Sequence, residues 1–163
     1  MEATTLVFPV IGEPIEKILL GKKKKGFGQG KWNGFGGKIR EGETLPECAI
    51  RELWEESGLK ANVEDLLWIG KINFVFQDQS HLDHPVDIFL LRNWQVNPTE
   101  SEEMKPQWFS VGKIPFSEMW ADDVYWFPKL ISECQFEANC IFCPDGESVH
   151  TFFTKKDAFS SKE

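Results

Sequence analysis

The sequence has little cysteine, a single tyrosine and no long hydrophobic run. Four cysteines among 163 residues are too few for a dense disulfide scaffold. Cys140 and Cys143 have CxxC spacing, but no second CxxC completes a zinc site, so we assign the cysteines mainly to packing. The longest apolar runs, such as residues 88–91, are far shorter than the roughly 20 residues that cross a bilayer. We therefore expect neither a zinc centre nor a membrane partner.

Basic residues are also in deficit. The chain has 18 Lys and Arg against 26 Asp and Glu, which gives a net charge of −8. A general binder of polymeric nucleic acid would carry a broad basic surface, so that class is not expected. No Gly-Lys pair is followed by Ser or Thr, which excludes a Walker phosphate loop. The first residues lack the pattern of a secretory signal. We expect a cytoplasmic location, with the nucleus and the mitochondrion as alternatives.

Tryptophan and phenylalanine are abundant, with seven and fourteen residues. Trp120 and Trp126 flank the acidic pair Asp122 and Asp123. Flat apolar walls beside carboxylates suit a planar ligand that forms hydrogen bonds. The alternative is that these rings simply fill a core, as most large aromatic side chains do.

The hydrophobic pattern predicts an α+β fold in one domain over residues 1–163, with 157–163 as a frayed tail. Residues 21–37 are rich in glycine and are predicted to form a loop. The predicted strands are residues 6–8, 15–20, 66–76, 86–96, 107–109, 136–143 and 148–153.

Two helices are predicted between these strands. Thr44 and Glu47 have the spacing of a capping box, so the first helix should begin there and end before Gly58. Asp122 is predicted to cap a second helix that ends at Ile131, since aspartate at that position accepts unpaired backbone N–H groups.

The first helix carries three glutamates, Glu52, Glu55 and Glu56, at positions i, i+3 and i+4. They lie on one side of the helix and repel one another unless a positive charge sits among them. Oxygen ligands suit Mg²⁺, with Mn²⁺ as a substitute. The alternative is a solvated acidic face paired with Arg51 or Lys38.

A longer motif surrounds this triplet. It consists of Gly37, five residues, Glu43, seven residues, Arg51-Glu52-Leu53, one residue, Glu55-Glu56, one residue and Gly58-Leu59. The motif resembles that of the Nudix hydrolases, which cleave a nucleoside diphosphate linked to another group and use divalent metal. The resemblance implies an α/β/α sandwich with a mixed sheet and a catalytic loop-helix-loop.

The resemblance also implies roles for individual residues. Arg51 and Glu43 would brace the loop. Glu103 would be a metal ligand or the general base, and the choice of base between Glu56 and Glu103 stays open. The implied catalytic residues are Glu52, Glu55, Glu56, Glu103 and Arg51, and the implied metal ligands are the Gly37 carbonyl, Glu52, Glu55, Glu56 and Glu103.

Roughly residues 19–130 are similar to the animal MutT homologues of that family, which hydrolyse oxidised purine nucleoside triphosphates. In that group the base stacks on a tryptophan and is read by an asparagine and two adjacent aspartates, which match Trp120, Asn33, Asp122 and Asp123. Two carboxylates this close cannot both ionise cheaply, so one is expected to keep a proton. The similarity rests on Lys24-Lys25-Gly26-Phe27-Gly28, Trp32 to Gly37, Glu103-Met104, Trp108-Phe109, Ile114-Pro115-Phe116, Met119-Trp120 and Asp122-Asp123.

The same resemblance implies further contacts with the substrate. Lys23 would approach the sugar and phosphates, and Thr5 is the match for an N-terminal pocket threonine. His84 stands where a pocket methionine is expected. The remaining walls would be Phe27, Phe74, Met104 and Trp126.

The expected activity is Mg²⁺-dependent conversion of modified purine nucleoside triphosphates to monophosphate and pyrophosphate, which would clear the nucleotide pool. Substrates of the type 8-oxo-dGTP, 2-hydroxy-dATP and O6-methyl-dGTP are expected, acted on by a monomer. One alternative is a Nudix hydrolase of another nucleotide, such as a dinucleoside polyphosphate. An alternative of another class is a nucleotide-binding module without turnover.

Overall fold

One mixed β-sheet carries the two α-helices of the described residues. The structure is a computed structural model that describes residues 2–155, so the predicted tail at 157–163 lies outside the described residues. The strands are β1 (Thr4–Ile11), β2 (Lys17–Lys23), β3 (Trp32–Asn33), β4 (Leu66–Phe76), β5 (His84–Leu91), β6 (Met104–Ser110), β7 (Phe136–Phe142) and β8 (Val149–Lys155).

The strand order is β3-β2-β1-β5-β4-β7-β8, and β6 also pairs with β2. The pairs β1·β5 and β4·β7 are parallel, and the other neighbours are antiparallel. β1 pairs with β2 only near the hairpin and then diverges from it. Residues 34–38 run beside β1 instead, with bridges between Val7 and Phe35 and between Thr4 and Lys38. The start of the Nudix-like motif is therefore held against β1.

The two helices, α1 (Leu45–Ser57) and α2 (Asp123–Ile131), lie on opposite faces of the sheet. Side chains alternate along a strand, so consecutive residues of β1 reach different layers. Val7 packs in one core with Leu53 of α1, and Phe8 packs in the other with Phe127 of α2. This arrangement confirms the predicted α/β/α sandwich.

Both ends of α1 form as predicted. The Thr44 hydroxyl accepts from the Glu47 backbone N–H at 3.2 Å, and the Glu47 carboxylate accepts from the Thr44 N–H at 2.9 Å. Gly58 ends the helix with φ 76°, and its N–H donates to the Trp54 carbonyl at 2.9 Å. Local sequence alone therefore fixes the limits of the helix that carries the glutamates.

Three local predictions need correction. Asp122 precedes α2, but its carboxylate caps no backbone N–H and instead accepts from the Trp126 indole. Residues 21–37 are not all loop, because β2 continues to Lys23 and β3 forms within the segment. β5 stops at Leu91, short of residue 96. Within residues 2–155, no helix is long and apolar enough to span a membrane.

Candidate active site

A cleft of about 760 Å³ extends from the aromatic pocket to α1. Gly37 and Glu56 line one end of it. Every residue predicted to bind substrate also lines it. These are Thr5, Lys23, Phe27, Asn33, Phe74, Met104, Trp120, Asp122, Asp123 and Trp126.

The acidic pair in this cleft is buried. Asp122 Oδ2 accepts a hydrogen bond from Trp126 Nε1 at 2.7 Å. Asp123 Oδ2 has no hydrogen-bond partner among the described residues. Burial raises the pKa of Asp122 to about 6, with the Trp126 bond opposing it. Burial, and then the charge of Asp122, raises the pKa of Asp123 well above its ordinary value. Burial therefore favours retention of a proton by the pair, and the hydrogen bond from Trp126 favours the ionised form at Asp122.

Asn33 has a defined amide orientation. Its Oδ1 accepts from the Gly34 backbone N–H at 2.8 Å. This bond uses one lone pair of the oxygen and leaves the amide NH₂ as a donor. Asn33 therefore adds a donor to the cleft that contains the two aspartates.

Stacked rings form the walls of the pocket. Phe27, which is 56% exposed, lies over Trp120 with ring centroids 4.9 Å apart. Trp120 meets Phe142 edge-on at 5.9 Å, and Phe142 stacks on Phe76 at 4.9 Å. Phe76 and Phe142 also line the cleft and were not predicted from the sequence. They come together because β4 and β7 pair in parallel, and only the alternation along β4, where Phe76 follows Phe74 by two residues, signals the first of them.

His84 lies inside the pocket at the start of β5 and lines the cleft. Its ring lies near those of Phe74 and Phe76, with centroids 5.5 and 6.2 Å away. Nδ1 is 2.6 Å from the Leu82 carbonyl oxygen. A carbonyl can only accept, so Nδ1 carries the hydrogen and Nε2 of the neutral ring is an acceptor. His84 is therefore a partly buried strand residue of the cleft.

Glu56 is the most enclosed carboxylate of α1, at 5% exposure. Its Oε1 accepts from the Gly36 N–H at 3.0 Å. Burial and the negative charge of Glu52 raise the pKa of Glu56 to about 8, with a smaller contribution from Glu103, while Lys23 acts against them. A buried carboxylate among like charges fits a site that takes a cation.

Arg51 joins two parts of the motif through hydrogen bonds. Its Nε donates to Glu43 at 2.5 Å, and its Nη1 donates to Glu52 and Glu55 at 3.0 and 3.2 Å. Hydrogen bonding from Arg51 lowers the pKa of Glu43 to about 2. Nη2 also reaches the Lys38 carbonyl at 3.1 Å. The guanidinium thus ties the loop after Gly37 to the helix.

The predicted ligands do not form a ready metal cluster. Within residues 2–155, no group of three or more His, Cys, Asp or Glu is placed to hold an ion. Glu52 and Glu55 turn to Arg51, and Glu103, 49% exposed, lies 3.7 Å from the Lys23 ammonium. The Gly37 carbonyl accepts from the Thr5 N–H and the Cys48 thiol, at 3.0 and 3.6 Å. The donor set is all oxygen, which suits a hard divalent cation, but ligation would require these side chains to exchange partners.

Gly37 leaves space for the first of these carboxylates. A Cβ at Gly37 would lie 2.3 Å from Glu52 Oε2. Gly36 is equally constrained, because a Cβ there would lie 1.6 Å from the Thr5 carbonyl oxygen. Glycine at both positions lets α1 and β1 approach the same short segment.

Comparisons with known proteins agree with this geometry. The NUDIX domain matches residues 2–130. The oxidized purine nucleoside triphosphate hydrolase of Danio rerio is 53% identical over 120 residues, 74% of this chain and 75% of that protein. The protein of the same name from Mus musculus is 51% identical over 121 residues, 74% of this chain and 76% of that protein.

Solved structures show the same fold. A mutator MutT protein from Bacillus halodurans superposes with a TM-score of 0.81 at 21% identity, over 95% of this chain and 98% of that one. A NUDIX hydrolase from Nitrosomonas europaea has a TM-score of 0.70 at 16% identity, over 87% and 78%. With the motif at Gly37 to Leu59, the cleft and these matches, the chain belongs to the Nudix family.

Proposed function

We propose that this protein is a Mg²⁺-dependent pyrophosphohydrolase that converts oxidised purine nucleoside triphosphates to monophosphate and pyrophosphate. The observation that carries the proposal is the single cleft that joins the buried Asp122 and Asp123 to Glu56 of α1. The zebrafish and mouse relatives, named for this activity, support it. In the cell the reaction would remove damaged precursors from the nucleotide pool.

The base end of the cleft supports selection of a purine. Trp120 offers a flat face for stacking, and the Asn33 amide offers a donor. Protonated Asp123 donates and ionised Asp122 accepts, so the pair reads a base edge that presents one acceptor and one donor. Exchange of the proton within the pair would allow a second base edge to be accepted.

The other end of the cleft supports binding of the triphosphate. Lys23 lines the cleft beside Glu56, so its ammonium is placed to attract phosphate oxygens. We propose Glu52, Glu55, Glu56 and Glu103 as the side chains that hold Mg²⁺, with the Gly37 carbonyl as a further ligand. Bound Mg²⁺ would supply charge neutralisation of the phosphates and activation of water. Arg51 keeps Glu52 and Glu55 on the same side of α1.

We also propose that the enzyme acts as a monomer. Both ends of the cleft are built from residues of one chain, so no second copy is needed to complete it. Light scattering coupled to size exclusion should give a mass near 18.8 kDa. A dimer that persists on dilution would contradict this.

The test is Mg²⁺-dependent release of pyrophosphate from 8-oxo-dGTP, 2-hydroxy-dATP, O6-methyl-dGTP, dGTP and a diadenosine polyphosphate, with Glu56→Gln as the blank. A preference for modified purines of about tenfold, or about 1.4 kcal/mol, is expected. Turnover restricted to the dinucleotide would overturn the base-pocket assignment. Tight nucleotide binding without any turnover would identify a binding module instead.

A further inference from the structure

The loop between β5 and β6 brings Glu103 towards α1. We call residues 97–103 the acidic loop. Its Thr99 N–H donates to the Ser57 carbonyl at the end of α1, at 2.7 Å. On the other side, the Lys24 N–H donates to the Glu103 carbonyl at 2.8 Å. Backbone bonds therefore hold the acidic loop between the helix and the end of β2.

Ser101 links the backbones of the two candidate catalytic residues, Glu56 and Glu103, through one atom. Its Oγ donates to the Glu56 carbonyl at 2.9 Å. The same Oγ accepts from the backbone N–H groups of Glu103 and Met104, at 3.2 and 3.1 Å. A hydroxyl has one hydrogen and two lone pairs, so all of its hydrogen-bonding capacity is used here.

The hydrogen bond from Ser101 Oγ to the Glu56 carbonyl satisfies an acceptor at the end of α1. The last carbonyls of an α-helix have no partner within the helix, and Glu56 is one residue from the end of α1. Ser101 supplies the missing donor from the acidic loop. Within residues 2–155, the side chain of Glu103 has only the ion pair with Lys23, at 3.7 Å. The Glu103 side chain is half exposed, so this ion pair contributes little. The position of Glu103 therefore depends on its backbone.

We propose that Ser101 is a positioning residue for hydrolysis, which sets the placement of Glu103 relative to Glu56 by tying their backbones together. The proposal rests on the proposed function, in which Glu103 is part of the catalytic machinery. Ser101 itself contacts no reacting atom. We expect its effect chiefly on the chemical step, because Ser101 Oγ ties the backbones of both candidate catalytic residues, whereas its one link to the base pocket is the backbone N–H of Met104.

The first test is Ser101→Ala with steady-state kinetics on the best modified purine. We expect kcat to fall about tenfold while KM changes less than twofold, and Ser101→Thr to restore most of kcat. The matched control is Ser132→Ala, which removes a hydroxyl that donates to the Pro128 carbonyl at the end of α2. The control should leave kcat unchanged.

A readout without catalysis is amide hydrogen exchange in the metal-free protein. Because the Glu103 and Met104 N–H groups donate to Ser101 Oγ, they should exchange at least tenfold faster in Ser101→Ala. Ser132→Ala should not change them. Unchanged protection of both amides in Ser101→Ala would show that the hydroxyl does not hold the loop.

The decisive test is the double variant of Ser101→Ala with Glu103→Gln. If Ser101 acts through Glu103, the double variant should be no more than twofold slower than Glu103→Gln alone. The proposal would be overturned if the loss of kcat in the double variant were the product of the losses in the two single variants. An unchanged kcat in Ser101→Ala, or full activity in Glu103→Gln, would also overturn it. A wild-type chain that hydrolyses none of the nucleotides would instead contradict the proposed function.

Discussion

At the scale of single residues, burial raises the pKa of two neighbouring aspartates, and a hydrogen bond opposes the shift at Asp122. Asp122 keeps one strong partner in Trp126, whereas one oxygen of Asp123 has no partner within the described residues. The same carboxyl chemistry thus supplies an acceptor at one position and a donor at the next. The sequence predicted a shared proton but could not assign it, because the Trp126 contact depends on the packing of α2.

Activity should depend on the ionisation of Asp122. Its pKa of about 6 means that the acceptor is lost as pH falls below that value. We expect kcat/KM for 8-oxo-dGTP to fall as the pH is lowered from 7 to 5. Pyrophosphate release measures this change. In Asp122→Asn the value at pH 7.5 should drop about tenfold, and the acid limb assigned to this group should disappear. An unaltered acid limb in the variant would exclude Asp122 as its cause.

The pH dependence of stability that Asp123 contributes should be opposite in sign to that of an ion-paired carboxylate. Its pKa in the folded protein is raised above 3.8, so the stability that it contributes is full below pH 3.8 and is lost as pH rises through the folded pKa. The asparagine side chain in Asp123→Asn does not titrate, so this variant lacks that contribution. The wild type should therefore lose stability relative to this variant as the pH rises. Thermal denaturation should show that the Tm of the variant minus the Tm of the wild type increases from pH 5 to pH 8.

The matched control for that measurement is Asp145→Asn. Asp145 accepts from the Ser148 and Glu147 N–H groups, which lower its pKa. It is ionised in both the folded and the unfolded protein from pH 5 to pH 8, so its Tm difference should stay flat. A flat difference for Asp123→Asn as well would contradict the raised pKa.

At the scale of elements, the parts set by local sequence were predicted and the parts set by distant partners were not. α1 follows from Thr44, Glu47 and Gly58, which are close together along the chain. The extension of β2 to Lys23 follows from pairing with β6, about 80 residues later. Phe142 enters the pocket for the same reason, because its neighbour Phe76 lies on another strand. Local patterns carry no information about such partners.

The capping box should contribute to stability without affecting catalysis. Thr44→Ala removes the acceptor for the Glu47 N–H and should cost about 1 kcal/mol in the free energy of unfolding. Urea denaturation measures this free energy, and Thr44→Ser should restore most of the lost stability. The kcat of the folded variant should stay within twofold of the wild type, since neither residue lines the cleft. A large fall in kcat would mean that the helix start also positions the glutamates.

At the scale of the whole molecule, three distant segments line a second pocket together with Trp120. Lys31, from the glycine-rich segment, places its ammonium 5.1 Å from the Trp120 ring and 3.4 Å from Glu147 in the β7–β8 turn. Gln79, after β4, donates to the Pro144 carbonyl in the same turn at 2.9 Å. The region beyond residue 130, outside the segment that resembles the family in sequence, therefore helps to enclose the base pocket.

This contact should influence substrate affinity in a manner that depends on salt. Lys31→Ala loses both the ion pair and the contact with Trp120, so it should raise KM about threefold to tenfold at low ionic strength. Glu147→Gln loses only the ion pair and should raise KM less than threefold, and 0.5 M salt should remove its effect by screening. Steady-state kinetics at two salt concentrations measures both. A loss confined to kcat in either variant would show instead that the turn affects the chemical step.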